Sequence, residues 1–135
     1  MTIGHGQHPS SVVTLKSAHD FDTTITRIKA ALDGVGAIVF ADVDQREAAG
    51  LAGLDLRRTR LILFGNPKAG TPIMAANPHS ALELPLRLVV WEDDTGHIHV
   101  DYRDVSQTLG PLYAIAPELL APLQRMAGLL QNTVQ

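Results

Sequence analysis

Residues 84–104 read LPLRLVVWEDDTGHIHVDYRD, and no other stretch of the chain limits the fold so tightly. Leu86, Leu88 and Val90 alternate with Arg87, Val89 and Trp91. Beyond a DDTG turn, Ile98, Val100 and Tyr102 alternate with His97, His99, Asp101 and Arg103. Side chains point to opposite faces along a strand, so a period of two on both sides of a turn marks a hairpin with one face turned to a core. Gly96 stands where such a turn needs a left-handed residue. A chain holding this hairpin must supply something to cover its apolar face.

Helices supply the cover. In HDFDTTITRIKAALDGVG, residues Phe21, Ile25, Ile28, Leu32 and Val35 fall at spacings of four, three, four and three, the period of one helix face. Asp20 is the expected N-cap, and Gly34 or Gly36 the stop. A second stripe, Leu119, Leu123, Met126 and Leu130, predicts a C-terminal helix from Pro117, with Pro122 expected to kink it or delay its start. SSVVTLKS, AIVFADVD and RTRLILFGNP read as strands. Asp44 and Glu47 are spaced to cap a short Ala-rich helix. Thr71-Pro72 is read as the start of another short helix ended by Asn77-Pro78, with Ser80 and Glu83 capping one more turn. The resulting string predicts an α+β fold: an antiparallel-rich sheet of about five strands, two main helices on one face, and short helical insertions. A flexible tail over 1–9 followed by a single domain over 10–135 is the expected organisation.

Composition fits a globular chain. Of its 135 residues 45% are apolar and 19% charged, enough to build one core without cross-links. A net charge of −3 with scattered Lys and Arg argues against nucleic acid as a partner. The absence of Cys rules out disulfides, thiolate metal sites and cysteine nucleophiles. MTIGHGQHPS has neither the basic start nor the apolar stretch of a signal peptide. No run approaches the ~18 apolar residues of a membrane helix. The expectation is a soluble, cytoplasmic chain with no membrane partner.

Three places invite chemistry. Gly65 and Gly70 have the glycine spacing of a phosphate-binding loop, but Thr71 follows where that motif has lysine. Pro67 and Pro72 also lack the N–H groups such a loop uses. A strand-to-helix connection is the better account. A weaker site for a small anion remains in Asn66, Lys68, Gly70 and Thr71, through an amide, an ammonium and the N–H groups expected after Thr71. His97, His99 and Asp101 share one strand face at roughly 7 Å steps, a spacing that suits a metal. Against this stands the plain outer face of a hairpin, and a metal would need a further ligand, His79 or Glu92. Glu92, Asp93 and Asp94 belong to a solvated turn, where water keeps carboxylates near their usual pKa. His5 and His8 lie in the tail, and Trp91 is read as core packing or a dimer contact. No Ser-His-Asp order or nucleophile elbow is present, so no catalytic residue is assigned and the balance leans away from an enzyme. No cofactor is implied.

FGNPKAGTPIM, LPLRLVVWEDDTG and HVDYRD together resemble the bacterial family called domain of unknown function 302. DFDTTITRIKAALDGVGAIVFADVD is similar to that family's S-F-x-x-T-x-x-x-L-K opening. The likeness spans about residues 11 to 131. It implies a small α+β domain with a curved sheet, helices on one face and a tendency to form homodimers. It brings no established biochemical role. Two places depart from the family pattern: Asp44-Gln45 replaces Asp-His after the second strand, and LGPLY, with Leu109-Gly110, replaces Arg-His after the last. The functional expectation is a non-catalytic homodimeric module for a small ligand, an anion being the class these donors suit. The alternatives are a structural dimer without a ligand and a metal-binding protein using the hairpin histidines.

Overall fold

The computed structural model describes residues 6–135; His5 lies outside the described residues. In chain order the elements are β1 (Val12–Lys16), α1 (Phe21–Gly34), β2 (Ile38–Asp44), α2 (Gln45–Leu51), β3 (Thr59–Gly65) and α3 (Pro67–Ala76). A 3-10 helix (Pro78–Glu83), β4 (Leu86–Glu92), β5 (Ile98–Arg103), α4 (Val105–Tyr113) and α5 (Pro117–Thr133) follow. The five strands form one sheet in the order β1-β5-β4-β3-β2. Every neighbouring pair is antiparallel. The expected α+β architecture is present.

The hairpin pairs as its alternation requires, with Val90 opposite Val100 and Leu88 opposite Tyr102. Gly96 takes φ +85° at the turn. Ile62 and Phe64 of β3 join Leu88, Val90, Ile98 and Val100 on the inner face, where α1 and α5 cover them. Ile28 and Leu32 of α1 are fully buried there, each contributing about 1.5–3 kcal/mol. Asp20 caps α1 as expected, accepting the Thr23 N–H at 2.7 Å. Val35 departs from the predicted stripe and is 49% exposed. The helix ends at Gly34, so Val35 no longer follows the helical turn that would bring it to the core.

A second apolar cluster sits beside the first. It joins Ile73 of α3, Val105 and Leu109 of α4, Ile115, and Leu120 and Leu123 of α5. Helix α4 is an element beyond those predicted from the sequence, and it tolerates Gly110-Pro111 within it. Pro111 sits late in a nine-residue helix, whose other end is fixed by Asp104 accepting the Ser106 N–H at 3.0 Å. Helix α5 begins at Pro117 and runs past Pro122, so its start is not delayed.

Candidate functional site

Helix α3 starts five residues before the predicted place, with Pro67 and not Pro72 at its first position. Asn66 is its N-cap, accepting the Lys68 N–H at 3.0 Å. The Ala69 and Gly70 N–H groups both bond the Asn66 carbonyl at 2.9 Å. Gly70 and Thr71 therefore lie inside the helix, not ahead of it. Neither Gly65 nor Gly70 has a positive φ, and a Cβ at either would meet neighbours only at ordinary distances. The backbone nest that a phosphate needs is not formed. Ser80 is also not a cap: it is fully buried, and Asn77 caps the 3-10 helix through the His79 N–H at 3.0 Å.

On the outer sheet face the hairpin side chains form a hydrogen-bonded network. Asp93 Oδ1 accepts the Thr95 N–H (2.9 Å), the Thr95 hydroxyl (2.7 Å) and the His97 N–H (3.0 Å). Its Oδ2 lies 2.7 Å from His99 Nε2. The bond from His99, followed by those from Thr95, holds the Asp93 carboxyl well below the usual carboxylate range. An ionised carboxylate only accepts, so His99 Nε2 carries a hydrogen and donates. The imidazole stacks on Trp91 with ring centroids 4.5 Å apart. Trp91 Nε1–H donates to Asp101 Oδ2 at 3.1 Å, and the Thr14 hydroxyl donates to Asp101 Oδ1 at 2.6 Å. His8 Nε2 reaches the same hydroxyl at 2.8 Å.

Two expectations change here. Asp93 is not a solvated turn residue, its side chain being 7% exposed. Trp91 packs on the outer face against His99, not in the core between sheet and helices.

His97, His99 and Asp101 share this face, yet their polar atoms serve different partners. His97 Nδ1 meets the Thr95 hydroxyl at 2.8 Å, His99 meets Asp93, and Asp101 meets Thr14 and Trp91. Among the described residues no three His, Asp or Glu side chains are placed to hold a metal ion. Glu92 lies on the opposite face, 3.8 Å from the Arg58 guanidinium, and His79 stands on the 3-10 helix.

A cavity of about 270 Å³ lies at the seam of the two apolar clusters. Phe64, Tyr102, Met126 and Leu130 come from the first cluster, Leu109 and Leu123 from the second. Polar residues line it as well: Arg87, Arg103, Glu83 and Asp104, and Gln131, which donates to the Tyr102 hydroxyl at 3.2 Å. A shallower groove of about 170 Å³ shares Leu86 and Leu123 with this cavity and is floored by Phe40, Met74 and Pro85. Asn66, Gly70 and Thr71 line that groove, and Lys68 does not.

Residues 13–133 match the model of DUF302, a domain of unknown function. The chain belongs to this family.

A crystal structure of an uncharacterised conserved DUF302 protein from Bacillus stearothermophilus superposes with a TM-score of 0.83 at 18% identity. It covers 94% of this chain and 100% of the other, so the two share a fold. Among curated proteins the chain is 40% identical over 95 residues to "Fluoride-specific ion channel FluC 1" of Brucella suis and of Brucella abortus, which is 70% of this chain. The match takes in 37% and 35% of those proteins, so the chain spans little more than a third of their length.

In this DUF302 chain the two departures from the family pattern fall at different kinds of place. Gln45 opens α2, directly after the Asp44 cap that accepts the Glu47 N–H at 3.0 Å. Leu109 is buried in α4 and lines the large cavity, and a Cβ on Gly110 would stand 3.4 Å from Leu120. The cavity itself left no mark in any one motif. Its walls come from β1, β3, β4, β5, α4, α5 and the 3-10 helix, elements far apart in the sequence.

Proposed function

We propose that this DUF302 chain is a non-catalytic module that binds a small ligand in the cavity between the sheet end and helices α4 and α5. The observation that carries the reading is the cavity at the seam of the two clusters, whose lining is mostly apolar with a few polar side chains. That combination is the usual make-up of a ligand site, and about 270 Å³ is near the lower end of such sites, which suits a small molecule. The anion expected at Asn66, Lys68 and Thr71 has less support, since the N–H groups meant for it are engaged within α3.

The module works as a homodimer in this reading. Support comes from the uncovered sheet face, where Leu61, Leu63 and Trp91 are only half-buried and Ile38 and Val43 are exposed. A screen of metabolites by thermal shift tests the binding. A ligand at a hundredfold excess over its Kd adds about 2.7 kcal/mol of stability. Leu123→Ala or Met126→Ala, which enlarge the cavity, should change the ligand-induced shift. Shifts that ignore both substitutions would place the ligand elsewhere. Light scattering checks the dimer: a monomer at micromolar concentration sinks that part.

A second reading is favoured by the curated relatives. Among the described residues no helix is long and apolar enough to cross a membrane, and the match occupies little more than a third of the Brucella channel proteins. This supports an accessory role for such a domain beside an ion-conducting part that lies elsewhere in those proteins. Removing the matched segment from the Brucella suis protein should leave fluoride conduction intact in liposomes. Loss of conduction by a truncated protein that still folds would end this reading.

A further inference from the structure

Resting on the cavity reading above, we infer that the ligand is an amphipathic acid, whose carboxylate meets Arg87 and Arg103 and whose aliphatic or aromatic body packs on the apolar lining. The register that pairs Leu88 with Tyr102 sets Arg87 opposite Arg103 one step further on. Like charges opposed across a strand pair cost stability. Alternation turns both side chains away from the helix-covered face. They stand at the strand ends, however, and both line the cavity.

Neither guanidinium has an ion-pair or hydrogen-bond partner among the described residues, unlike Arg27, Arg57, Arg58 and Arg60. Two acids line the same cavity, and both are turned to other work. Glu83 accepts the Tyr113 hydroxyl at 2.8 Å. Asp104 caps α4, accepting the Ser106 N–H and hydroxyl at 3.0 and 2.6 Å. Each guanidinium offers a planar fork of donors that matches a carboxylate in two-point contact. Tyr102, Met126 and Leu130 line the same cavity and carry no charge at neutral pH. A doubly charged, fully polar anion would leave those side chains without contacts, and a neutral apolar molecule would leave the arginines unmatched.

The test uses the full untagged chain and two probes of equal length, sodium octanoate and 1-octanol, measured by titration calorimetry. Octanoate is expected to bind about tenfold tighter, the ratio one charge-assisted hydrogen bond supplies. Added salt should weaken octanoate and leave octanol unchanged. The double substitution Arg87→Ala, Arg103→Ala, at two exposed positions, should bring octanoate to the octanol affinity. Equal affinities in the parent chain, or a double variant that keeps the preference, overturn the assignment while leaving the cavity reading in place. Absence of binding by both probes overturns the two together.

Discussion

Asp93 and His99 meet across the β4–β5 turn, carboxylate to imidazole, at 2.7 Å. Among the described residues, Thr95 and His97 are its other hydrogen-bond partners, so one side chain ties the turn together. Asp93→Asn is expected to lower Tm clearly more than Asp94→Asn, whose carboxylate is 79% exposed and faces only Arg57. Because the folded-state pKa of Asp93 is depressed, its contribution is present above the ordinary carboxylate pKa and lost as pH falls below it. Thermal melts of both variants at neutral and acid pH check this. Equal Tm values at neutral pH would show that the turn does not depend on Asp93.

Asp42 is the second acid-sensitive point. Lys29 and Arg60 each approach its Oδ2 to 2.5 Å, and the Arg60 hydrogen bond is the main reason its pKa falls from 3.8 to about 2. The stabilisation is complete above pH 3.8 and disappears as pH drops through about 2. It amounts to no more than about 2 kcal/mol, since Lys29 is 40% exposed and partly screened. Arg60→Ala should raise the midpoint of acid unfolding more than Lys29→Ala, as followed by circular dichroism.

The register of α1 gives a sharp contrast. Leu32→Ala removes a fully buried side chain and should cost about 2–5 kcal/mol. Val35→Ala, just past the helix end, should change stability by no more than about 0.5 kcal/mol. Urea denaturation reads both. A large loss for Val35→Ala would mean that the stripe continues into the core.

At α3 the two candidate starts predict opposite outcomes. Asn66→Ala should cost about 1 kcal/mol by removing the cap, whereas Thr71→Ala, at an exposed position inside the helix, should be close to neutral. The reverse order would return the helix start to Thr71.

These cases show which parts of the molecule were legible in the chain. The period of α1 and the alternation of β4 and β5 are local signals, and tertiary packing agrees with them. At α3 two prolines both fitted the first helical position, and the side-chain oxygen of Asn66 decided between them. Gly110-Pro111 is costly inside α4, yet burying Leu109 against Ile73 and Leu123 outweighs that local cost. The burial of Asp93 and His99 follows from the turn folding back on itself, which no spacing rule conveys. Of the proposed anion donors, Asn66, Gly70 and Thr71 reach the shallow groove, but the large cavity lies elsewhere.

The order β1-β5-β4-β3-β2 places both edges of the sheet in the first third of the chain. Val12 pairs with Arg103, so β1 has no neighbour to bond until β5 exists. On a ribosome this domain therefore cannot assemble from its N-terminus onward. The first strand waits, unpaired, until nearly all the others have been made, and the contact that completes the sheet is also the one with the greatest loop to close.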